Sequence, residues 1–128
     1  LRIAAEKAYK QAGITNPRKQ FDVVEMYEPC SWAALDWAES LGLAEPGKAS
    51  ELWKNGAARI DGDIPINPSG GVLCTNPIGA TGLIRVVEAS LQIRGRCGER
   101  QVENVKTACT TGFGGSFWNE IMILGAEK

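Results

Sequence analysis

Three places in the chain carry side chains able to move a proton or hold an oxyanion. Tyr27-Glu28 follows the apolar run Phe21-Asp22-Val23-Val24-Glu25-Met26. A phenol donates a proton or, as phenolate, accepts one, and a carboxyl serves as acid or base. Open α/β sheets seat ligands at such strand ends; the bland alternative is a half-buried aromatic beside a surface carboxylate. Cys109 closes a second strand pattern, ahead of Thr110, Thr111 and glycines at 112, 114 and 115. A strand cysteine is usually a small hydrophobe, and becomes an acid, base or nucleophile only where its pKa is tuned. Between these two places lie Asn67-Pro68-Ser69-Gly70-Gly71 and Asn76-Pro77-Ile78-Gly79-Ala80-Thr81-Gly82. Glycine there permits a positive φ or the close approach of a ligand. A helix starting near Thr81 favours negative charge at its N-terminus. A tight structural loop is the equally open alternative. The spacing excludes a P-loop and a dinucleotide fingerprint, since G-x-x-x-x-G-K and G-x-G-x-x-G are both missing.

Those residues need elements to hold them. Residues 1–13 read as a helix, with Leu1, Ala4, Ala5, Ala8 and Ala12 at the spacing of one buried face and Gly13 as its C-terminal cap. No capping residue precedes Leu1, as expected of a piece of something longer. Residues 21–27 read as a short buried strand. Ser31 is the expected N-cap of a helix over 32–41, stopped by Gly42. Residues 44–64 read as irregular around a short helix at 50–54. A helix is expected over 81–94, with Ile84, Val87, Glu88 and Leu91 on one stripe and Gly95 as its stop. Strands at 105–110 and 117–124, joined by Thr111-Gly112-Phe113-Gly114-Gly115, read as an antiparallel hairpin. This alternation argues a layered α/β domain. Trp32, Trp37, Trp53 and Trp118 read as core or interface residues.

Composition removes several function classes. At 128 residues the chain is one domain long. Apolar residues make up 44%, enough to offset chain entropy and exclude disorder. Fourteen basic against fifteen acidic residues leave a net charge of −1, so no nucleic-acid footprint exists. No apolar run reaches the ~18–20 residues of a membrane span, and residues 1–6 lack the pattern of a signal peptide. Histidine, the commonest general base and metal ligand, is absent. Cys30, Cys74, Cys97 and Cys109 show no C-x-x-C spacing. Reduced thiols in a cytoplasmic protein with no metal site are therefore expected.

Taken together, N-P-S-G-G at 67–71, N-P-I-G-A-T-G at 76–82 and Cys109 with its glycine-rich sequel resemble the C-terminal half of a thiolase. The resemblance runs over nearly the whole chain, and its nearest subgroup is the sterol-carrier-protein type with its bacterial and archaeal thiolase-like relatives. It implies an α-β-α layered domain with a mixed sheet over residues 1–128, the fragment or subunit that lacks the N-terminal half. It further implies an acyltransferase of lipid metabolism acting on the carbon–carbon bond of a 3-oxoacyl-CoA, with coenzyme A thioester as substrate and no other cofactor. The acylated cysteine of a thiolase lies in the N-terminal half. By position, Asn76 stands where a thiolase has the histidine of G-H-P-x-G. Cys109 stands at the acid/base cysteine, and Tyr27-Glu28-Pro29-Cys30 at the N-E-A-F or H-D-C-F motif. The same positions make Glu28, Gly70, Gly71, Gly79, Gly112 and Gly114 the expected substrate-binding residues. Expected partners are the N-terminal half, further copies in an oligomer, and a small zinc-ribbon/OB-fold protein of the kind that accompanies histidine-lacking relatives.

Two departures shape the expected chemistry. Asn76 donates a hydrogen bond but accepts no proton at neutral pH, and the loop is one residue short between Gly71 and Pro77. Tyr27 puts a phenol where relatives have an amide or imidazole, which resembles thiolase-like aldolases that cleave 3-hydroxyacyl-CoA. In that chemistry Tyr27 takes the hydroxyl proton and Cys109 protonates the enolate. A non-catalytic acyl-CoA or lipid-binding subunit is the remaining alternative.

Overall fold

A short apolar strand is stable only when neighbours take up its backbone hydrogen bonds. The computed structural model describes residues 1–115 and 118–126 and shows where those neighbours come from. In chain order the elements are α1 (Arg2–Ala12), α2 (Pro17–Gln20), β1 (Val23–Glu25), α3 (Ser31–Ser40) and α4 (Ala49–Lys54). Then come α5 (Gly71–Cys74), α6 (Thr81–Ile93), β2 (Thr107–Gly114) and β3 (Trp118–Gly125). β1 runs parallel to β2, with Val24 opposite Cys109, and β2 runs antiparallel to β3, with Cys109 opposite Ile123. The sheet is thus mixed, in the order β1-β2-β3. Ile66 bridges the free side of β1 at Val24. The Asp22 carboxylate starts β2 by accepting the N–H groups of Lys106 and Thr107 at 2.9 and 2.8 Å.

Strand alternation sends successive residues to opposite faces. Val24, Met26 and Cys109 meet Ala5 of α1 and Ala33, Trp37 and Ala38 of α3 in the larger core. Val23 and Ala108 meet Ala89 of α6 in a smaller one. Helices on both faces of a mixed sheet make the layered α/β arrangement that the sequence pattern implies.

Three details differ from expectation. Ala12 is exposed, and Tyr9 takes its place in α1's contacts by donating its hydroxyl to the Leu41 carbonyl at 2.8 Å. Ser31 is the first residue of α3 rather than its cap, and Cys30 precedes it with no capping side chain. Residues 111–114 do not form a loop. They extend β2, because each finds a partner on β3, from Thr111 with Ile121 to Gly114 with Trp118. Phe117, expected to start the last strand, lies outside the described residues.

The largest departure is the orientation of α6. The sequence pattern puts Ile84, Val87, Glu88 and Leu91 on one stripe, and of these only Glu88 is buried. The buried residues are Thr81, Arg85, Glu88, Ala89 and Gln92. Leu83 and Val87 point to solvent, and Ile84 and Leu91 are half-exposed. The helix therefore turns a polar stripe toward its own sheet. Arg85 explains why. Its guanidinium is 2% exposed and Nη1 donates to Glu25 Oε2 at 3.0 Å, where Glu25 itself is fully buried in β1. A buried cation and carboxylate have to meet, and this sets the helix rotation against the hydrophobic gain on the other face. Burial pushes the Glu25 carboxyl up to about 7, against the opposing pull of Ser69 and Arg85.

Replacing Arg85 by Met leaves Glu25 buried without its cation, so stability should fall by about 3–5 kcal/mol at pH 8. A raised folded-state pKa means that the folded chain holds a proton that the unfolded chain has released, so stability drops as pH rises. The deficit of Arg85→Met should therefore be smaller at pH 5, where Glu25 is neutral. Denaturant titrations of both proteins at the two pH values check this. An equal deficit at both would separate Arg85 from Glu25.

Candidate functional site

The glycine-rich loop before α6 is anchored by two carboxylates, Glu25 at the end of β1 and Glu28 just beyond it. Ser69 Oγ donates to Glu25 Oε2 at 2.7 Å and accepts from Arg85 Nη1 at 2.8 Å and from the Gly71 N–H at 3.2 Å. The Ser69 N–H completes the junction on Glu25 Oε1 at 3.1 Å. Glu28, 3% exposed, accepts the Val72 N–H at 3.0 Å and a bond from Asn67 Nδ2. The Asn67 side chain also pairs with the backbone N–H and C=O of Met26, in the manner of a strand partner. These bonds press the loop onto β1 so closely that a Cβ on Gly71 would sit 2.0 Å from Glu28 Oε1, and Gly71 has φ +65°. Glycine is the residue that fits. Burial raises the Glu28 carboxyl above its ordinary value, opposed by the hydrogen bonds that it accepts.

Beyond α5 the chain rises to the exposed Asn76. Its Oδ1 accepts the Thr81 hydroxyl at 2.9 Å. A one-turn 3₁₀ segment, Ile78–Ala80, then leads into α6. Next to it an open cleft of about 590 Å³ lies between α6 and the β2–β3 hairpin. Gly79, Gly112 and Gly114 line it, with Leu83, Thr110 and Trp118 among the walls. Of its lining residues Ile78, Leu83, Trp118 and Met122 are exposed, as is Val87 on α6.

Apart from Asn76, the sequence-derived candidates fall into three groups. Glu28, Gly70 and Gly71 lie within or beneath the loop, with Glu28 and Gly71 buried, and Gly70 takes a left-handed φ of 92°. Gly79, Gly112 and Gly114 share the cleft. Tyr27 and Cys109 belong to the larger core, on the opposite side of the sheet from α6. Tyr27 is 7% exposed, with its ring centroid 6.0 Å from that of Phe113 and its backbone N–H donated to Thr111 Oγ1 at 2.8 Å. Cys109 is fully buried, and burial pushes its thiol up to about 12. Among the described residues, no hydrogen bond joins any two of Tyr27, Asn76 and Cys109. Of the four tryptophans, only Trp37 is in the core.

Sequence reasoning missed Glu25, Ser69, Arg85 and Thr81. A carboxylate inside an apolar strand and an arginine inside an apolar helix were the available signal, because charges at such positions are seldom buried unpaired. Among the described residues, no helix is long and apolar enough to cross a membrane, and no cluster of three or more Cys, Asp or Glu is arranged to hold a metal ion.

Residues 1–126 match the thiolase C-terminal domain-like family. The chain belongs to that family. This thiolase-like chain is 40% identical over 114 residues to the acetyl-CoA acetyltransferase of Methanothermobacter thermautotrophicus, covering 88% of the chain and 29% of that protein. It is 38% identical over 116 residues to human sterol carrier protein 2, covering 88% of the chain and 21% of that protein. These relatives agree with the sterol-carrier-protein-type subgroup. The thiolase-like chain thus spans under a third of the length of either curated relative. Its fold is that of the solved Ltp2-ChsH2(DUF35) aldolase, with a TM-score of 0.81 and 24% identity over 98% of this chain and 31% of that one.

The thiols give a direct check on the placements. Cys74 is exposed, whereas Cys97 and Cys109 are buried with raised pKa values of about 11 and about 12. A maleimide should label Cys74 in the folded chain and reach Cys97 and Cys109 only after unfolding, because the thiolate is the reactive form. Peptide mass spectrometry reads the order. Labelling of Cys109 at the rate of Cys74 would contradict the buried placement.

Proposed function

We propose that the chain is the C-terminal half of a thiolase-like acyltransferase working on the carbon–carbon bond of a 3-oxoacyl-CoA, with the acylated cysteine supplied by an N-terminal half. The observation that carries this reading is the state of Asn76. Its carbonyl oxygen is engaged by Thr81, and among the described residues no acceptor takes the Nδ2 hydrogens, on an exposed loop at the foot of α6. Making or breaking a bond next to a thioester puts negative charge on the thioester oxygen, and a fixed donor is what that charge requires. Family membership supports the same reading. Gly79, Gly112 and Gly114 present bare backbone to the neighbouring cleft, where a ligand can approach closely. Glu28, Gly70 and Gly71 serve substrate binding through the loop they hold. The apolar outer face of α6 is the surface that the N-terminal half would cover.

Cys109 is the weaker member of the set. Burial holds it as a thiol, the form required of a proton donor to an enolate, but its sulfur lies in the core. Base chemistry falls outside what Asn76 and Cys109 offer near neutral pH, and the chain contains no histidine. That absence favours a second reading, retro-aldol cleavage of a 3-hydroxyacyl-CoA with Tyr27 as base. Such an enzyme fits a small zinc-ribbon/OB-fold partner protein, and either enzyme fits a cytoplasmic oligomer.

The deciding experiment gives the full-length protein, with any copurifying partner, a 3-oxoacyl-CoA plus free CoA and, separately, a 3-hydroxyacyl-CoA alone. An acyl-CoA shortened by two carbons and formed only with free CoA supports the acyltransferase. A ketone or aldehyde released without free CoA supports the aldolase. Binding without either product would leave a non-catalytic acyl-CoA or lipid-binding subunit. In the first case Asn76→Ala should lower kcat by about 10²–10³-fold, and an unchanged rate would remove Asn76 from the site. In the second, Tyr27→Phe should cost about 10²–10⁴-fold, and a loss below about threefold, against that same range, would reject Tyr27 as the base.

A further inference from the structure

We propose that Thr81 is a positioning residue that orients the Asn76 amide, and that the Arg85–Glu25–Ser69 junction holds Thr81 in register. The inference rests on reading Asn76 as an oxyanion donor and adds the device that makes the donor directional. A carboxamide has one accepting and one donating side. On an exposed loop, an untethered asparagine would offer either side. Only the Nδ2 side stabilises an oxyanion, and the Oδ1 side repels one. Thr81 Oγ1 donates to Oδ1 at 2.9 Å, which engages the accepting side, and among the described residues the donating side has no partner.

The donor end of the tether is held in place. Thr81 is fully buried, which shields its hydroxyl from water, while its acceptor Asn76 is exposed. It lies on the buried stripe of α6 one turn before Arg85, and residues four apart share a helix face. Arg85 Nη1 donates to Glu25 Oε2 at 3.0 Å and to Ser69 Oγ at 2.8 Å. Rotation of α6 is therefore pinned one turn from the hydroxyl that holds Asn76. Between the two residues the backbone passes through Ile78 at φ +37°. A β-branched residue rarely adopts a positive φ, and persists there only where its surroundings over-determine it. The Asn76–Thr81 bond closes this strained segment across its ends.

The test uses the full-length protein turning over its acyl-CoA substrate. Thr81→Val keeps shape and branching but deletes the donor; Thr81→Ser keeps the donor. Thr81→Ala repeats the deletion should valine not fold. Loss of one orienting hydrogen bond is expected to lower kcat about tenfold with KM nearly unchanged. Thr81→Ser should restore the rate, and in an Asn76→Ala background Thr81→Val should add nothing. The Asn76 side-chain amide resonances, assigned by their loss in Asn76→Ala, should shift in Thr81→Val and return in Thr81→Ser. An unchanged kcat in Thr81→Val overturns the proposal, as does a loss additive with Asn76→Ala. If Asn76→Ala is itself fully active, the oxyanion reading fails instead. The resonances then decide the tether alone: a shift upholds it and no shift overturns it.

Discussion

A guanidinium sealed beneath a helix leaves the surrounding chain little freedom. Arg85 meets Glu25 and Ser69 at one point, and the three belong to α6, β1 and the glycine-rich loop. No two of these segments can move apart without stranding a charge or a hydroxyl in a site that water does not reach, at a cost of several kcal/mol. The sheet could form without this junction. The junction ties the loop on the end of β1 to α6 above it. The polar face that α6 turns toward the sheet follows from where that cation sits, while the tight approach at Gly71 is set by Glu28 and Asn67.

The layered arrangement was legible because its elements carry ordinary signals. The apolar run before Tyr27 gave β1, and glycine stops gave the ends of the first and last long helices. The hairpin was legible in kind but not in extent. Gly112 and Gly114 read as turn residues, yet pairing with β3 keeps them in the strand, because cross-strand context overrides a weak local preference. The direction in which α6 faces was not legible. Its hydrophobic pattern is sound, and a periodicity argument assigns the apolar stripe to the nearest core. Here Leu83 and Val87 face away from the chain's own sheet, and only the pairing of two charges distant in sequence could have said so.

Legibility of the candidate site divides in the same way. Gly70 and Gly71 announce a tight loop by their identity, and the structure gives both the left-handed backbone that such a loop needs. The bond between Asn76 and Thr81 depends on the path of the four residues between them, which local propensity does not encode. Cys109 is the reverse case. Its position before a glycine-rich stretch suggests a strand end, but the strand runs on past it, with Cys109 paired between Val24 and Ile123.

The inverted helix has a consequence for mutational tolerance. In an ordinary amphipathic helix, apolar positions resist change and polar ones drift. Along α6, Thr81, Arg85, Glu88 and Gln92 are inside while Leu83 and Val87 are outside. Selection for the fold of this domain alone would therefore hold the polar residues and release the apolar ones. Selection for an assembled protein would hold both. The degree to which Leu83 and Val87 stay apolar among closely related chains is thus a record of whether α6 has kept company on its outer face.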